Sequence, residues 1–139
     1  MRYVSLSLLV LLPTLGAAQS LEQRWLALQN TSASYEPPPE YAGWWQAVVA
    51  ECDCIPAVEL PTIAWQRVDA TTFECVVGLR CRGYYIPSLA QAFVVSADTL
   101  RESTVKHEMR HAILGGDPEH QHPSWRLDVA LMRVAARPR

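Results

Sequence analysis

The stretch Thr99-Leu-Arg-Glu-Ser-Thr-Val-Lys-His-Glu-Met-Arg-His-Ala-Ile-Leu114, followed by Gly115-Gly116, decides how this chain is read. Thr99 with Glu102 three residues later has the form of a capping box, good helix formers run to Leu114, and the two glycines stop them, so a helix is expected. Inside it, His107-Glu108-Met109-Arg110-His111 spells HExxH. Imidazoles four residues apart lie about 40° apart around a helix and about 6 Å along it, so both reach one metal ion. Glu108 projects beside them, where a carboxylate can act as a general base without ligating the ion. Val105, Met109, Ala112 and Ile113 gather on an apolar face, with the two histidines nearly opposite. Ser103, Lys106 and Arg110 share a third side, which is expected to meet water.

Upstream of this helix, residues 63–68, 73–77, 83–86 and 92–96 are short, β-branched and aromatic. Gly78, Gly83, Pro87 and the Asp69-Ala-Thr-Thr stretch punctuate them. They read as a short, mainly antiparallel sheet. Before them, Tyr41, Trp44, Trp45, Val48 and Cys52 form one face of a helix that follows the stiff spacer Pro37-Pro38-Pro39. Leu21, Trp25 and Leu28 mark a shorter amphipathic helix. Downstream, Pro123 and Ser124 are expected to open a last helix carrying Leu127, Leu131 and Val134, with Trp125 as core or as the floor of a pocket. The expected class is α+β: a small sheet packed on the HExxH helix with flanking helices. Residues 1–18 read as a signal peptide, 19–39 as a flexible arm and Pro-rich spacer, and 40–139 as the folded domain.

At 139 residues, half of them hydrophobic and five of them Trp, the chain suits one packed domain. A net charge of -2 without any basic block excludes a phosphate-neutralising surface, so no nucleic-acid partner is expected. Met1-Arg2, an apolar run over 4–12, Pro13 and Gly16-Ala17-Ala18 have the order of a signal peptide, and the run is too short to span a bilayer. A secreted or periplasmic protein follows, with no membrane anchor after cleavage. Export favours two disulfides among Cys52, Cys54, Cys75 and Cys81. A bridge within Cys52-Asp53-Cys54 is expected to be strained, so each of these two is expected to pair with Cys75 or Cys81, in either crossing. The spacings lack the paired C-x2-C knuckles of a four-thiolate zinc site.

A catalytic zinc takes three protein ligands and leaves one position open. After His111 the candidates are Asp117, Glu119, His120 and His122. Asp117 stands ten residues after His107, the spacing of the third ligand in HExxHxxGxxH and its Asp-ending variant, but the Gly of that pattern is here Leu114.

The chain resembles the zincin metallopeptidases, and more closely a group of small, exported, largely uncharacterised bacterial zincin-like proteins. The features that carry the resemblance are Trp44-Trp45, Cys75 with Cys81-Arg-Gly, Val105-Lys-His-Glu-Met-Arg-His111, Gly115-Gly-Asp117 and His122-Pro-Ser-Trp125. The resemblance implies a zincin-like fold with His122 as the third zinc ligand beside His107 and His111. Residues 118–121, inserted between Gly-Asp and His-Pro, keep His120 as an alternative, with Asp117 behind it. The implied activity is hydrolysis of a peptide bond in a peptide or protein substrate by a monomer, through a zinc-bound water with Glu108 as general base. His120, Tyr84, Tyr85 and Arg126 are candidates to stabilise the oxyanion. Two other readings share the motif: a non-catalytic, disulfide-stabilised binding module around a structural zinc, and a zinc amidase acting on cell wall.

Overall fold

Short apolar runs separated by turn residues build the sheet, and helices with one apolar face build its covers. The computed structural model describes residues 21–76 and 78–126. In chain order the elements are α1 (Leu21–Thr31), β1 (Ser32–Ser34), α2 (Glu40–Cys52), β2 (Ala64–Val68), β3 (Phe73–Val76), β4 (Leu79–Cys81), β5 (Gly83–Ile86), β6 (Gln91–Val95) and α3 (Glu102–Ile113). The class is α+β. Four strands form one sheet in the order β1-β2-β6-β5, and β3 pairs with β4 in a separate hairpin. The outer pairs β1/β2 and β5/β6 are antiparallel, but β2 and β6 run parallel, with Ala64 opposite Gln91 and Val68 opposite Val95. A parallel pair needs a crossover of a dozen residues or more, and here the hairpin and β5 provide it.

Alternation along β6 sends Ala92 and Val94 to one face of the sheet and Phe93 and Val95 to the other, all four buried. On the first face they pack with Trp65, with Tyr41, Trp45 and Val48 of α2, and with Val105, Met109 and Ile113 of α3. The second face meets Leu28 of α1 and Phe73 and Cys75 of the hairpin. Each large apolar side chain buried this way contributes roughly 1.5–3 kcal/mol relative to exposure. The Tyr41 hydroxyl donates to the Thr99 carbonyl at 2.7 Å, tying α2 to the approach of α3.

Several expectations need correction. From residue 21 onward the segment expected as an arm belongs to this packing: Trp25 stacks on Tyr84 with ring centroids 5.0 Å apart, Leu28 is buried, and β1 extends the sheet beside β2. The outer face carrying Phe93 and Val95 needs a cover, and α1 supplies part of it. The cysteines pair locally, Cys52 with Cys54 and Cys75 with Cys81, rather than across the domain. Asp53 closes α2 in the left-handed conformation (φ 51°), which brings the Cα atoms of Cys52 and Cys54 to 5.2 Å, while β3/β4 pairing brings those of Cys75 and Cys81 to 5.7 Å. Both lie within the span a disulfide bridges. The capping box does not form. Thr99 Oγ1 donates instead to the Ser96 carbonyl, and Asp98, 1% exposed, accepts hydrogen bonds from Thr104 and Arg82 at the start of α3. Arg110 does not face water either: it is fully buried and pairs with Glu51 of α2 at 2.6 Å. The expected signal peptide and the last helix at Leu127, Leu131 and Val134 lie outside the described residues.

Candidate metal centre

Helix α3 packs Met109, Ala112 and Ile113 against the sheet, and this fixes its rotation so that His107 and His111 project together into a cleft. Their Nε2 atoms are 3.3 Å apart. His111 Nδ1 lies 2.5 Å from the carbonyl of Gly116, so Nδ1 carries the proton and Nε2 keeps its lone pair for a ligand. Burial pushes His107 down to about 3, helped by His111, His120 and Arg110 nearby. His111 is lowered as well, chiefly by burial. Both rings are therefore neutral near pH 7, the form that ligates metals.

The third imidazole is that of His120, whose Nε2 is 3.2 Å from that of His111. One ligand atom from each of His107, His111 and His120 falls within 4.8 Å of the others, so the three can hold a metal ion. Four ligands at about 2.0–2.1 Å in a tetrahedron stand about 3.3–3.4 Å from one another, close to the two separations that His111 Nε2 makes with its neighbours. Among the described residues no fourth His, Cys, Asp or Glu joins the group.

His122, ranked first on resemblance, is turned aside. Its Nδ1 lies 2.9 Å from Ser124 Oγ and accepts the Ser124 amide at 3.2 Å. Asp117 is also occupied: its carboxylate accepts the amides of Gln121 and His122 at 3.0 Å each and the Trp125 indole N–H at 2.6 Å. Burial raises the Asp117 pKa, but these three donors outweigh it and hold the carboxyl below its ordinary value. Glu119 is exposed and bonded to Gln121. His120 reaches the site because Asp117 and His120 both adopt left-handed backbone conformations (φ 45° and 53°), which fold the turn back over the end of α3. Such conformations are costly for non-glycine residues and gather where geometry serves a site. A sequence offers one faint signal for this, an Asp just after Gly-Gly, a residue that tolerates left-handed geometry.

Glu108 is 3% exposed and burial pushes its carboxyl up to about 8, with the Tyr85 amide donating to it and opposing that rise. Its Oε2 has no hydrogen-bond partner. The cleft beside it has a volume of about 270 Å³ and an apolar wall that includes Val76, Leu79, Tyr84 and Pro87. A second depression of about 300 Å³, on the side of Arg82 and Ser103, shares His107, Glu108 and Gly83 with the first. Of the candidate oxyanion donors, Tyr84 and His120 line the cleft, Tyr85 offers its amide to Glu108, and Arg126 is exposed.

No protein-family model, curated protein or solved structure matches this chain.

Proposed function

We propose that this protein is a secreted or periplasmic zinc-dependent peptidase of zincin type, in which His107, His111 and His120 hold the ion and Glu108 is the general base. The observation that carries this reading is the convergence of three Nε2 atoms, with neighbours 3.2 and 3.3 Å apart, beside a buried carboxylate whose Oε2 is unpartnered. Three imidazoles suit zinc among the common divalent ions. A zinc ion with one open position acts as a Lewis acid and brings water to a pKa of about 7.

Within this scheme the chain's own residues have distinct tasks. Neutral His107 and His111 present lone pairs, with the Gly116 carbonyl fixing the tautomer of His111. Glu108 would take a proton at its free Oε2 from the water that adds to the scissile carbonyl and return it to the leaving amine as the C–N bond breaks. The two depressions flanking Gly83 leave room for a substrate chain on both sides of Glu108. A structural zinc in a binding module would call for a closed set of four ligands, and among the described residues the group has three.

The test is metal analysis of the exported protein together with hydrolysis of a peptide panel by wild type and Glu108→Gln. One zinc per chain in both, with hydrolysis only by wild type, is expected. A metal-free wild type, or equal rates in the two proteins, overturns the reading.

A further inference from the structure

His120 is the weakest-held member of its group: it is exposed, it sits on a turn rather than on α3, and its own backbone is in a left-handed conformation. Something must hold that turn in place. Asp117 gathers its two ends, accepting the amides of Gln121 and His122 from one side and the indole of Trp125 from the other. Trp125 is 7% exposed, and its ring lies against all three imidazoles, with centroids 5.0 Å from His107, 4.8 Å from His111 and 4.4 Å from His120. The Arg110 guanidinium stands 5.2 Å from the same ring and is itself anchored to Glu51 of α2. The chain of contacts runs from the buried α2/α3 interface, through Arg110 and Trp125, to Asp117 and the turn.

We infer that Asp117 and Trp125 are positioning residues, a clasp that holds His120 against His107 and His111 and so sets the metal affinity of the site. This rests on the proposed metal-binding role of the three histidines. Asp117 thus acts one step away from the ion, through the ligand it places. Outer-shell partners of this kind are worth about 10–100-fold in metal affinity.

Two measurements test the clasp. In the metal-free protein, the ring of Trp125 at 4.4 Å should shift the NMR signals of the His120 ring protons. Asp117→Ala should return those signals to values of an unstructured histidine, while the His107 and His111 signals, held on α3, keep the dispersion of a folded environment. Unchanged His120 signals in that variant overturn the clasp whether or not the protein binds metal. In zinc titrations, Asp117→Ala and Trp125→Ala should each weaken binding by about 10–100-fold, and Trp125→Phe, which keeps a ring but loses the bond to Asp117, should fall between wild type and Trp125→Ala. Placed in a His120→Ala background, Asp117→Ala should have no further effect, because both changes remove the same ligand. An equal loss in both backgrounds overturns the clasp alone. Unaltered zinc binding by His120→Ala overturns the underlying ligand assignment and the clasp's claimed effect on affinity together.

Discussion

A Cβ placed on Gly83 of β5 would lie 2.5 Å from Oε1 of Glu108 on α3, and 2.8 and 2.9 Å from its Cγ and Cδ. Strand and helix approach so closely here that only a residue without a side chain leaves space for the carboxylate. Gly83→Ala therefore has to displace Glu108, while the three imidazoles, contributed by α3 and the turn after it, stay where they are. The expected outcome is a loss of hydrolysis of about 100-fold, the scale of losing a placed proton-transfer group, with zinc content unchanged. Kinetics and metal analysis on the same preparation check it, and full activity would disconnect Glu108 from the reaction.

The ligand assignment separates two histidines only two residues apart. His107→Ala, His111→Ala and His120→Ala should each lose bound zinc on dialysis, whereas His122→Ala, which loses only the contacts to Ser124, should keep it. The same division should appear in thermal melts: zinc at 100 times the wild-type dissociation constant stabilises the wild type by about 2.7 kcal/mol, and should stabilise the three more weakly binding ligand variants much less.

Glu108 should cost the metal-free protein stability. Its carboxyl is raised from 4.5 to about 8, so the folded state holds the proton more tightly than the unfolded state does, and stability falls as pH rises through that interval. Glu108→Gln escapes this loss. Its advantage over wild type in chelator should be small near pH 4.5, grow with pH, and level off above about 8, reaching on the order of 5 kcal/mol. Urea unfolding at several pH values measures it, and an advantage that shrinks as pH rises would contradict the burial of this group.

Asp98 gives the opposite pH dependence. The hydrogen bonds from Arg82 outweigh the effect of burial and, with Thr104 and Arg101, hold its carboxyl below the ordinary value. Stability from this pairing is complete above the unfolded-state pKa of about 3.9 and is lost as pH falls through the lower folded value. Arg82→Ala should therefore destabilise at neutral pH, and the gap to wild type should close in acid. A gap that is constant with pH would mean that Arg82 acts through packing.

Much of this protein was legible in the order of its residues. The 3.6-residue spacing of Val105, Met109, Ala112 and Ile113 placed the apolar side of α3, and with it the direction of His107, Glu108 and His111, because rotation about a helix axis is a local property. The strand segments and the helix bearing Tyr41 and Trp45 were legible for the same reason. Relations between distant or irregular segments were not. The parallel pairing of β2 with β6, the burial of Arg110 against Glu51, and the docking of α1 through Trp25 on Tyr84 depend on which surfaces meet, and no short-range pattern records that. The cysteine pairing was missed because Cys52–Cys54 turns on a left-handed Asp53 and Cys75–Cys81 on the pairing of β3 with β4.

The sequence by itself determined an α+β chain whose third helix carries two imidazoles and a carboxylate on one side, since helical periodicity alone dictates that arrangement. Only the tertiary structure decided that His120, and not His122 or Asp117, completes the group. That choice rests on two left-handed residues and on the bonds Asp117 makes to Gln121, His122 and Trp125, and a turn without a repeating pattern takes its shape from such contacts rather than from spacing.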